Sequence, residues 1–128
     1  MPYHFSKTLD ISFDEAIAQV TEALKKEGFG ILTEINVKET LKKKLDVNFR
    51  QYTILGACNP PFAYQALQAE DKIGTMLPCN VILQEQAEGK VEISAVDPIA
   101  SMQAIENPKL EEVAKKIQEK LKTVIGSL

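Results

Sequence analysis

The chain has 128 residues, of which 45% are hydrophobic and 26% charged, so composition excludes a disordered protein and predicts one folded domain spanning residues 1–128. The net charge is −3, and Arg50 is the single arginine among fifteen basic residues, which argues against a nucleic-acid partner. No apolar run reaches about 18 residues and the N-terminal "MPYHFSKTLD" lacks the features of a signal peptide, so we expect a cytosolic protein without a membrane anchor.

The first half of the chain alternates between strand and helix periodicity. Apolar and polar residues alternate in "YHFSKTLD", which predicts a strand. The following segment predicts a helix that begins with a capping box formed by Ser12 and Glu15 and stops at Gly28. "GILTEINV" predicts a second strand, and a short helix is expected over Val37 to Leu45.

The second half opens with a third strand, "RQYTILGAC". Asn59 is placed to cap a helix that begins at Pro60, where a proline loses only a hydrogen bond that is missing in any case. "NVILQEQAEGKVEISAV" predicts an antiparallel hairpin that turns at Gly89. Asn107 and Pro108 repeat the capping pattern before a long amphipathic closing helix.

This order of elements predicts an α+β fold with a single mixed or largely antiparallel sheet of about five strands and helices packed mainly on one face. Val81, Ile82 and Leu83 are consecutive apolar residues, so their strand is expected to be apolar on both faces. Since no spare helix remains to cover the second face, we expect a homodimer.

The two cysteines of the chain each precede an asparagine where an extended segment meets a turn. Cys58 and Asn59 end the third strand, and Cys79 and Asn80 begin the fourth. If these strands pair antiparallel, the two sulfur atoms come near each other. In a reducing compartment the cysteines are expected to be free thiols, ligands or a transient redox pair rather than a permanent disulfide.

Three interpretations of the cysteines stay open: packing, a thiol site, or a metal site that uses Cys58 and Cys79. A helix dipole favours the thiolate of Cys58, but Pro60 and Pro61 remove backbone donors that an anion would need. Asp97 fits either a turn residue or a general base. His4, Met76 and Met102 are further soft donors.

Three segments, "YTILGACNPPFAYQAL", "IGTMLPCNVIL" and "VEISAVDP", resemble the domain-of-unknown-function 302 family, and the resemblance runs from about Tyr3 to the closing helix. It implies a small α+β domain that generally assembles as a dimer, and it supplies no established enzyme activity. The residues that match the family signature are Gly56, Cys58, Asn59, Pro60, Ala63, Leu67, Gly74, Leu77, Pro78, Cys79, Asn80, Val81, Asp97 and Pro98.

Two functional hypotheses follow, and a third requires no site chemistry. In the first, a binding module holds a small molecule or a soft metal ion in a pocket formed by Cys58, Asn59, Cys79, Asn80 and Asp97. In the second, Cys58 attacks a substrate as a thiolate and Cys79 resolves the adduct, as in an enzyme or a sulfur carrier. In the third, the cysteines serve only packing and dimerisation. The cofactor remains unidentified in all three.

Overall fold

The computed structural model describes residues 2–87 and 89–128, which form five strands and five α-helices; strands and helices alternate up to the third helix, and a hairpin of the last two strands and then the last two helices follow. The predicted α+β class is confirmed. The strands are β1 (His4–Leu9), β2 (Gly30–Asn36), β3 (Tyr52–Cys58), β4 (Cys79–Ala87) and β5 (Lys90–Val96). The helices are α1 (Phe13–Lys26), α2 (Val37–Leu45), α3 (Pro60–Ala69), α4 (Pro98–Ser101) and α5 (Pro108–Gly126), and a 3-10 helix over Ile73–Met76 precedes β4.

The strands form one open antiparallel sheet in the order β1-β5-β4-β3-β2. The β4–β5 hairpin turns at Gly89, whose φ of 75° lies in the left-handed region that glycine adopts without strain. In the central β3–β4 pair, Cys79 lies opposite Ala57. The start of β4 is therefore next to the end of β3, as expected if the two strands pair antiparallel.

Helix α1 begins and ends at the residues that its sequence predicts. The Ser12 hydroxyl accepts the N–H of Glu15 at 3.1 Å and also donates to the Glu15 carboxylate at 3.2 Å. In a reciprocal capping box, the Glu15 carboxylate would instead accept from the backbone N–H of Ser12. At the other end, Gly28 has a φ of 87° and donates to the Lys25 carbonyl, while Phe29 donates to that of Leu24. These two bonds are a Schellman termination.

The core lies between one face of the sheet and the helices α1, α3 and α5. The side chains of Leu55, Val81 and Leu83 on the central strands are at most 1% exposed and pack with the apolar faces of α1 and α5. Burial of apolar surface stabilises the fold by about 25 cal/mol for each Å². Because most of the buried apolar side chains lie in this layer, it is the main source of stability. Helix α2 has no buried residue and lies at the margin.

The opposite face of the sheet carries both apolar and polar side chains. Ile82 and Ile54 lie opposite each other on this face and are half-buried, and Ile35 on β2 continues the row with 47% of its side chain exposed. Asn80 and Gln84 flank Ile82 along β4 on the same face. Among the described residues, no helix is long and apolar enough to cross a membrane.

Candidate functional site

A cavity of about 260 Å³ lies where the end of β3 and the start of β4 meet helices α3 and α5. Both cysteines line it, and almost all of its other walls are apolar side chains. Apolar side chains of α3 form one wall, α5 forms the floor, and Pro98 and Met102 close the cavity near α4. The cavity wall residues are Leu32, Ala57, Cys58, Asn59, Phe62, Ala63, Ala66, Leu67, Leu77, Pro78, Cys79, Pro98, Met102, Leu110, Val113, Ala114 and Ile117.

The two cysteines differ in their surroundings. Cys79 is 9% exposed on the helix face of β4, whereas Cys58 at the last position of β3 is half-buried. Burial, and to a smaller extent the neighbouring Cys58, raises the pKa of the Cys79 thiol to about 11. Cys79 is therefore protonated at neutral pH. Both cysteines are free thiols.

Asn59 occupies the N-cap position of α3, but its side chain does not cap that helix. The predicted cap is wrong because the Asn59 amide turns instead towards the end of α1, where its Nδ2 donates to the Glu27 carbonyl at 3.1 Å. Pro60 and Pro61 also leave few backbone N–H groups at this helix start. Asn59 is 7% exposed and ties the α1–β2 connection to the β3–α3 junction.

The strand end beside the cavity requires glycine at position 56. A Cβ atom on Gly56 would lie 2.2 Å from Thr33 Oγ1 and 2.8 Å from Pro78 Cγ, distances that exclude a side chain without movement of both neighbours. Pro78 follows a cis peptide bond with Leu77. Thr33 lies next to a β-bulge in β2, and Leu32 at this bulge reaches the cavity wall.

The other two predicted site residues lie outside the cavity walls. Asn80 is exposed on the open face, because successive residues of a strand point to opposite sides of the sheet. Asp97 caps the short helix α4 by accepting the Ile99 N–H at 3.0 Å, and Gln118 Nε2 donates to its carboxylate at 3.1 and 3.3 Å. The structure thus brings together Cys58, Asn59 and Cys79.

Most of the cavity walls were not predicted as site residues. The sequence marks Met102 only as a soft donor, and Ala63 and Leu67 only as residues that match the family signature. The spacing of the apolar residues in α3 predicts which face of this helix is buried. It does not predict the distance between α3 and α5, which determines whether a cavity forms. Within the described residues, no three or more His, Cys, Asp or Glu side chains come together as metal ligands.

Comparisons with known proteins agree with the resemblance in the sequence. A family model described as "Domain of unknown function DUF302" matches residues 5–128, which include both Cys-Asn pairs. The chain is similar to a crystal structure of an uncharacterized conserved protein DUF302 from Bacillus stearothermophilus, with a TM-score of 0.90 and 29% identity over 98% of each chain. No curated protein matches it.

Proposed function

We propose that this chain, which belongs to the DUF302 family, is a binding module that holds the apolar part of a small molecule in the cavity beside Cys58 and Cys79. The observation that carries the proposal is the apolar lining of a cavity of about 260 Å³, in which Asn59 contributes the one side-chain amide among the wall residues that the structure describes. The cavity opens to solvent beside Leu32 and Leu67, which are 66% and 43% exposed. Water inside it finds few hydrogen-bond partners, because the walls are apolar and the Asn59 amide nitrogen already donates to the Glu27 carbonyl. Replacing this water with an apolar group is therefore favourable.

The size of the cavity favours a compact ligand. In other proteins an apolar cavity of about 150 Å³ stays dry and accepts benzene, so the larger space here suits a molecule of one or two small rings or a short chain. The sulfur atoms supply polarizable contacts. We restrict the proposed site to Cys58, Asn59, Cys79 and the apolar walls, because Asn80 and Asp97 are engaged elsewhere.

Toluene is a suitable first probe, and the δ1-methyl NMR signal of Ile117 in the cavity floor is the readout. We expect toluene to shift this signal in the wild-type protein. Ala66→Leu fills part of the cavity from α3, since Ala66 is 3% exposed and lines it, and should weaken binding about tenfold or more.

Ala18→Leu adds the same bulk to an exposed position of α1 outside the cavity and serves as the matched control, with binding unchanged. If toluene does not shift the Ile117 signal of the wild-type protein, the proposal is overturned. Equal binding by the wild type and Ala66→Leu would place the toluene elsewhere and also overturns it.

A soft metal ion is the second candidate occupant. Met102 brings a third sulfur atom to the cavity that holds Cys58 and Cys79, and thiolate and thioether ligands select Cu(I). The raised pKa of the Cys79 thiol disfavours metal binding, because the metal must displace the thiol proton. Native mass spectrometry with Cu(I) under reductant should find one bound ion that Cys58→Ser abolishes, and an unchanged apo mass rules it out.

Thiol-dependent catalysis is the weaker alternative. A resolving cysteine must become a thiolate to attack an adduct on Cys58, and burial keeps Cys79 protonated at neutral pH. Alkylation by iodoacetamide separates the alternatives. Rapid modification of Cys58 at pH 7, abolished by Cys58→Ser with the fold intact, would favour catalysis over the binding module.

We also propose a cytosolic homodimer that forms through the open face of the sheet. The row of Ile35, Ile54 and Ile82 supports it, because these side chains remain half-buried or exposed in the single chain, and a second copy would remove them from water. Ile82→Glu should convert a dimer into a monomer in sedimentation equilibrium. A wild-type protein that sediments as a monomer contradicts this assembly.

A further inference from the structure

We infer that the bound molecule is amphipathic, with an apolar chain in the cavity beside the cysteines and an uncharged polar head in a second, adjoining cavity between α4 and α5. The inference rests on the proposed function and names its ligand class. The second cavity has a volume of about 270 Å³ and is lined by Ile99, Met102, Gln103, Ile105, Leu110, Glu111, Ala114 and Lys115.

The two cavities share a floor and a partition. Leu110 and Ala114 lie one turn apart on α5, are buried, and line both spaces. Met102, at the end of α4, also lines both and is half-buried. The two spaces are therefore neighbours on one face of α5, and the Met102 side chain lies at their boundary.

The nature of Met102 makes this boundary a movable one. Its backbone is fixed by its N–H bond to the Pro98 carbonyl at 3.0 Å and by the Ile105 N–H, which donates to its carbonyl at 3.0 Å. Its side chain is unbranched, has three rotatable bonds and adapts to irregular spaces. Rotation of this thioether, without movement of a helix, joins the two cavities into one elongated site.

The side chains of the second cavity indicate the head group. The first cavity offers almost no polar contact, whereas the second carries the amide of Gln103, the carboxylate of Glu111 and the ammonium of Lys115. Glu111 and Lys115 form no ion pair within the part of the chain that the structure describes. One acid and one base together suit a head without net charge that both donates and accepts hydrogen bonds, such as a hydroxyl group.

Straight-chain 1-alkanols from butanol to decanol test this arrangement. Toluene is the reference ligand, because it is small enough to lie entirely within the first cavity. The readouts are the δ1-methyl signals of Ile117, which lines only the first cavity, and of Ile99, which lines only the second. We expect toluene to shift Ile117 but not Ile99, and decanol to shift both. Affinity should rise about fourfold for each CH₂ through the whole series.

Met102→Phe places a rigid ring at the boundary between the two cavities and should stop the rise of affinity with chain length. Met102→Leu, of similar volume, is the control that keeps part of the rise. Replacing Lys115 and Glu111 with leucine removes the charged contacts of the head group and should lower alkanol affinity about threefold or more, while toluene, which does not reach these side chains, should bind as in the wild type.

Three outcomes overturn the inference: an Ile99 signal that decanol does not shift, an affinity plateau at the same chain length in the wild type and Met102→Phe, or tighter binding of octanoate than of octanol. Each leaves the proposed function standing if toluene still shifts Ile117. If toluene and the alkanols both leave Ile117 unshifted, the proposed function fails and this inference fails with it.

Discussion

The two faces of strands β3 and β4 carry different properties on the same backbone. On the helix face, Leu55, Val81 and Leu83 are fully buried and continue towards the cavity beside Cys79. On the open face, Ile82 stands between Asn80 and Gln84 and is only half-buried. The helix face holds both the core and the cavity, whereas the open face contributes little to the stability of one chain.

The largest expected effect compares neighbouring residues of β4. Leu83→Ala should cost about 3 to 4 kcal/mol of unfolding free energy, because Leu83 is fully buried and its loss leaves a cavity. Ile82→Ala should cost about 1 kcal/mol at a low chain concentration. Urea unfolding of both variants measures the two losses, and equal losses would contradict the contrast between the faces.

Gly56 tests whether the strand end beside the cavity tolerates any side chain. Gly56→Ala should cost about 3 kcal/mol, because its Cβ meets Thr33 and Pro78 at impossible distances. Gly30→Ala is the matched control on β2, since a Cβ there has nothing within 4 Å, and should stay within about 0.5 kcal/mol of the wild type. Similar urea midpoints for the two variants would disprove the close approach.

The pH dependence of stability tests the burial of Cys79. The pKa of Cys79 is raised from 9.0 to about 11 in the folded chain, so the folded state holds the thiol proton more tightly than the unfolded state. This contribution is fully present below pH 9 and is lost as pH rises through 11. We expect the wild type to lose about 2 kcal/mol more than Cys79→Ala between these pH values.

The comparison with Cys79→Ala cancels every contribution that the two proteins share and leaves that of the Cys79 thiol. Cys58→Ala should keep most of the wild-type slope, because burial rather than Cys58 is the larger cause of the shift. Parallel unfolding curves for the wild type and Cys79→Ala would mean that the Cys79 thiol is as accessible to water as in the unfolded chain.

The smallest expected effect separates stability from binding at the cavity wall. Asn59→Ala should cost about 1 kcal/mol through the lost hydrogen bond to the Glu27 carbonyl, and toluene affinity should change less than about threefold. Asn48→Ala, at an exposed position, controls for asparagine replacement. A large loss of toluene affinity in Asn59→Ala would show that the cavity depends on a polar contact.

Local signals were sufficient for much of the fold. Ser12 and Gly28 mark both ends of α1, Gly89 marks the hairpin, and Asn107 caps α5 with its side-chain oxygen as expected. These features depend on residues within a few positions of one another, where backbone preferences decide the outcome. The α+β class follows from their order.

The site depends on long-range packing, and the sequence could predict only part of it. Cys58 and Cys79 come together because β3 and β4 are antiparallel neighbours, as expected, but their register is visible only in the structure. Asn59 finds its acceptor in Glu27, 32 residues earlier, rather than in its own helix. The distance between α3 and α5, which creates the cavity, leaves no local signal.

A crystal of the reduced protein under xenon pressure tests the central claim most directly, because xenon enters dry apolar cavities and avoids hydrated ones. We predict a xenon peak between α3 and α5, beside Cys79 and Ile117, that disappears in Ala66→Leu and persists in Ala18→Leu. Ordered waters that fill this space in the wild-type crystal, with no xenon density, would contradict an apolar binding site.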